Sequence, residues 1–105
     1  RKLNRDWGEM RYRISHEASM DLARIYWHGV VKFGEQQAEG YYQLLIGQFE
    51  KISDAPLAFQ AIDNIREGYR RSVCGADSIY YRISSQDGAV EIMRILGRQD
   101  LSENL

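Results

Sequence analysis

Arginine and tyrosine gather in the last third of the chain, at Arg70, Arg71, Tyr80, Arg82, Arg94 and Arg98. A guanidinium is a permanent charge whose planar fork of donors fits a carboxylate or a phosphate, and an aromatic face stacks on it. These six residues are therefore a candidate basic-aromatic patch for gripping an acidic segment or a phosphate backbone. From Asp63 to Asp100, however, six acids stand against six bases. Such a balance is too even for a strong nucleic-acid funnel. Arg94 is set within the otherwise apolar run Val90 to Leu96. A charge there costs stability unless its head reaches solvent or a partner. It reads either as a partner contact or as one half of a salt bridge to Glu91 or Asp100.

Proton-transfer chemistry has little to stand on. His16 and His28 both fall in the first helical region, and read as solvated or interfacial bystanders. The stretch Arg98-Gln99-Asp100 holds no group that ordinarily titrates near neutral pH. Cys74 has no histidine close to it in sequence and reads as a small, buried or half-buried strand residue. With two histidines twelve residues apart and one remote cysteine, no metal-ligand cluster forms. No glycine-rich phosphate loop is present. The expectation is no catalytic residue, no metal and no cofactor.

The elements that position these residues can be read from periodicity. Met10 to Ser15 alternates as a short strand. Ser15 then suits a helix N-cap, with Glu17 in the first turn. Ala18, Leu22, Ile25 and Phe33 recur at helical spacing until Gly34. Ala38, Tyr41, Tyr42, Leu45, Phe49 and Ile52 make a second stripe, closed near Pro56. Two amphipathic helices so tightly joined fold back antiparallel. Residues 58–68 offer at most one helical turn, through Ile62 and Ile65. Three strands follow. Tyr69 to Cys74 alternates weakly, with a turn around Ala76 and Asp77. Ile79, Tyr81 and Ile83 share one face, with Tyr80 and Arg82 on the other. After the hairpin signal Asp87-Gly88 comes Val90 to Leu96, apolar enough for a central strand. The tail from Gly97 either forms a short helix through Leu101 and Leu105 or frays.

The fold class is thus α+β: an antiparallel sheet of about four strands, β-α-α-β-β-β, with the N-terminal helical hairpin on one face. Residues 10–105 make a single domain and residues 1–9 a flexible N-terminal extension. Met10 reads either as a natural start or as an internal methionine. The net charge of -1 lends no support to direct nucleic-acid binding. One cysteine, no signal-peptide pattern and no span of roughly 20 apolar residues point to the cytoplasm and away from a membrane. Tyr26 and Trp27 cannot both be interior alongside Ile25, so at least one reaches a rim or a partner.

Several pieces in order resemble the ParE branch of the ParE/RelE bacterial toxins. They are Asp21-Leu22 through Ile25, Phe33-Gly34, Gln37-Ala38, Tyr41-Tyr42, then Phe49 and Pro56. Asp63, Ile65, Gly68-Tyr69-Arg70, Ile79-Tyr80-Tyr81-Arg82 and Ile92 to Leu96, followed by Asp100, continue the likeness. The resemblance implies a toxin of a type II toxin–antitoxin module that inhibits DNA gyrase by protein–protein binding. It also implies a ParD-like antitoxin that wraps the toxin, with Tyr26, Trp27, Val31 and Tyr42 as candidate contacts. The arginine-tyrosine set above is then the candidate target surface. A RelE-like ribosome-dependent ribonuclease, or a non-toxic relative retaining only antitoxin binding, stays open as an alternative. Against the nuclease stands Gly97, where relatives often carry a histidine.

Overall fold

Ser15 turns the chain from strand to helix and fastens the helix to the sheet. Its Oγ accepts a hydrogen bond from Ala18 N at 3.0 Å and donates one to Met93 O at 2.9 Å. Its backbone N–H donates to Ile92 O at 2.9 Å. One side chain thus satisfies an orphan donor of the first turn and a strand carbonyl together. The computed structural model describes residues 12–98 and residue 105. Residues 1–9, read above as an extension, and Met10, Gln99, Asp100 and Leu101 lie outside the described residues.

The elements run β1 (Tyr12–Ile14), α1 (His16–Phe33), α2 (Glu35–Asp54), β2 (Gln60–Ala61), β3 (Tyr69–Cys74), β4 (Asp77–Ile83) and β5 (Val90–Gly97). Gly34 joins the helices at a φ of 95°, a conformation open to glycine at little cost. The hairpin then packs on one face of the sheet, as the stripes require.

The sheet differs from the expected one in two respects. It has five strands, in the order β1-β5-β4-β3-β2, and β1 runs parallel to β5. Parallel pairing needs a long crossover, and the helical hairpin is part of the connection that permits it. The added strand is β2, in the segment read as one helical turn. The turn read from the Ile62–Ile65 spacing follows it directly, with Ile65 N and Arg66 N both donating to Ile62 O at 2.8 and 2.9 Å. Gln60 and Ala61 pair with Arg71 and Arg70, and Ile62 N donates to Tyr69 O at 2.9 Å. Asp63 Oδ1 accepts from Gly68 N at 2.8 Å and holds the loop that returns to β3. Ile62 is buried while Ile65 is exposed.

Two apolar clusters lie on opposite faces of the sheet. Between helices and sheet are Ala18, Leu22, Leu45, Phe49, Ile52, Ile79, Tyr81, Val90, Ile92 and Ile95, with Ile25 at the margin. Each fully buried large side chain contributes roughly 1.5–3 kcal/mol. On the other face Ile62, Tyr69, Tyr80 and Leu96 pack together, with Met93 and Leu105 against them. Arg66 donates to Leu105 O. The central strands β4 and β5 are therefore covered on both sides, which explains why β5 is nearly all apolar. A register shift sets Met93 as an extra residue, since Tyr80 faces Arg94 while Tyr81 faces Ile92.

Candidate functional site

The six residues of the basic-aromatic set are not gathered into one patch. Neighbours along a strand point to opposite faces, so Arg70 and Arg71 part company. Arg70 turns to the loop after α2 and donates to Phe59 O at 2.7 Å. Arg71 donates to Gln60 Oε1 at 2.8 Å, while its buried Nε has no hydrogen-bond partner among the described residues. Arg82 donates to Glu91 at 2.7 Å. Tyr80, expected in the patch, is only 4 % exposed and belongs to the far-face cluster. Its ring supports that face from below instead of presenting a surface. Arg98 is exposed beyond the end of β5, and its backbone N–H donates to Ala76 O at 3.0 Å.

Arg94 leaves the far face altogether. Its Nε and Nη2 donate to Asp21 of α1 at 2.8 and 3.1 Å. Glu91 is not the partner, since it is held by Arg82 and Arg13; Asp100 lies outside the described residues. Asp21 is buried and also accepts from Ile95 N at 2.9 Å. Burial alone would raise its pKa, but Arg94, Ile95 N–H and Arg24 outweigh that and hold it below the ordinary value. Sequence reading named Asp21 only within the resemblance and missed its role. The available signal was an acid on the apolar stripe of α1, opposite a lone arginine in an apolar strand.

Tyr41 forms a second anchor. Its hydroxyl donates to Asp77 Oδ2 at 2.6 Å and accepts from Ala76 N at 3.0 Å, clamping α2 to the β3–β4 turn. Burial, then the Asp77 carboxylate, raises its pKa. This tyrosine was assigned to the core by its spacing, and its ring is indeed half-buried, but its polar tip fixes the turn.

The hairpin carries the other candidate surface. Tyr26 contacts both Trp27 and Tyr42 edge-on, at centroid distances of 5.2 and 6.1 Å. Tyr26 and Tyr42 are half-buried. Trp27 and Val31, one turn apart, are 62 % and 87 % exposed. Three of the four expected contacts thus form one aromatic cluster bridging α1 and α2, and Val31 extends it outward. Trp27 and Val31 thus leave an apolar edge of α1 open to water. His16 and His28 are both exposed on α1. Cys74 is buried, which raises its thiol pKa. Among the described residues no cluster of His, Cys, Asp and Glu is arranged to hold a metal ion. Among them, too, no helix is long and apolar enough to cross a membrane.

The family model described as ParE toxin of type II toxin-antitoxin system, parDE, matches residues 12–101. The chain belongs to the ParE toxin family. It is 35 % identical over 85 residues to Toxin ParE1 of Caulobacter vibrioides, covering 81 % of this chain and 85 % of that one. Toxin ParE1 of Mycobacterium tuberculosis is 31 % identical over 96 residues, covering 90 % and 97 %. A solved chain of the chromosomal ParDE TA system from P. aeruginosa superposes with a TM-score of 0.73 at 22 % identity, covering 85 % of this chain and 96 % of that chain. That likeness establishes the shared fold. This ParE-type toxin therefore carries its arginines and its aromatic hairpin on the family's scaffold, with the Asp21–Arg94 pair joining the two halves.

Proposed function

We propose that this ParE-family toxin acts in the cytoplasm by binding DNA gyrase and blocking it, and that a ParD-like antitoxin neutralises it by lying across the helical hairpin. The observation that carries the reading is the exposed Trp27–Val31 edge beside the Tyr26–Tyr42 pair. Such an edge suits an apolar segment ordered on binding, with acidic residues to meet the arginines. On the target side, Arg71 and Arg82 share the far face of the sheet and Arg98 projects from its end. Arg70 and Arg94 support those strands from the helix side. The mechanism requires recognition only and invokes no cofactor.

The test places purified toxin in gyrase supercoiling and cleavage assays, beside a ribosome-dependent mRNA cleavage assay. Inhibited supercoiling with intact mRNA is the expected result. Arg98→Glu should weaken the inhibition while circular dichroism stays unchanged. Cleaved mRNA with unaffected gyrase would replace this reading with the ribonuclease alternative. For the antitoxin, hydrogen exchange of the complex should protect α1 around Trp27. Unchanged exchange there would remove the hairpin from the contact.

A further inference from the structure

We draw no further inference here: the strongest candidate, the exposed apolar line of Met20, Trp27 and Val31 along the outer side of α1, carries nothing, because nothing in the structure shows what covers it.

Discussion

Asp21 of α1 receives Arg94 and Ile95 of β5 through three donors, at 2.8, 3.1 and 2.9 Å, and so locks the hairpin to the bulged strand. The bulge leaves Ile95 N–H turned toward the helix, and the carboxylate satisfies it. The pair therefore completes the backbone bonding of β5 where β1 has already ended.

Asp21→Ala should destabilise the protein by about 3 kcal/mol, because it removes two charge-assisted bonds from Arg94 and leaves the buried Ile95 N–H without its acceptor. Chemical denaturation measures this. A loss under about 0.5 kcal/mol would show that the pair contributes little.

The same carboxylate gives a pH signature. Its folded pKa lies below the value in the unfolded chain, so the unfolded state binds more protons as the solution is acidified. Its stabilising contribution is present above the unfolded carboxyl range and is lost as pH falls through the folded pKa. Asp21→Asn should therefore show a shallower decline of stability below about pH 4 than wild type does. Parallel stability curves for the two proteins would refute this linkage.

Tyr41→Phe should cost about 1–3 kcal/mol, since Asp77 Oδ2 and Ala76 N lose their shared partner. Gly75→Ala should be at least as damaging. Its φ is 59°, and an added Cβ would fall 2.6 Å from Tyr41 Cε1. Thermal unfolding of both variants provides the check, and an unchanged midpoint for either would dismiss the clamp.

Leu45→Ala or Phe49→Ala should each cost about 2–5 kcal/mol, as expected for cavities at fully buried positions. Urea titration should show the midpoint shift without a change in slope. Wild-type stability in either variant would contradict the packing of the hairpin on the sheet.

Gly97→His should not confer ribosome-dependent mRNA cleavage. One imidazole at the end of β5 lacks a matched acid, base and phosphate clamp. Arg94, which could have served as the clamp, is bound to Asp21. Cleavage by this variant above the wild-type level would overturn the argument.

Local pattern determined much of this protein. The helical stripes through Ile25 and Ile52, the Ser15 cap, the central character of Val90 to Leu96 and the placing of at least one of Tyr26 and Trp27 at the rim all follow from periodicity and residue type, although Phe33, on the first stripe, is exposed. Those features depend on neighbours in sequence, or on the simple division between water and core. Only the tertiary structure decided how distant segments pair. It set β1 parallel to β5, added β2 from Gln60 and Ala61, ahead of the turn that the Ile62–Ile65 spacing marks, and inserted Met93 as a bulge. It also separated the arginines. Arg70 and Arg71 follow the alternation of a strand, whereas the bulge and the buried Asp21 draw Arg94 to α1. Tyr80 was legible as facing away from Tyr81, but not as buried, because its cover comes from Ile62, Leu96 and Leu105, residues remote from it in the chain. Charge and alternation identify which side chains want a partner, while the partner itself is chosen by long-range packing.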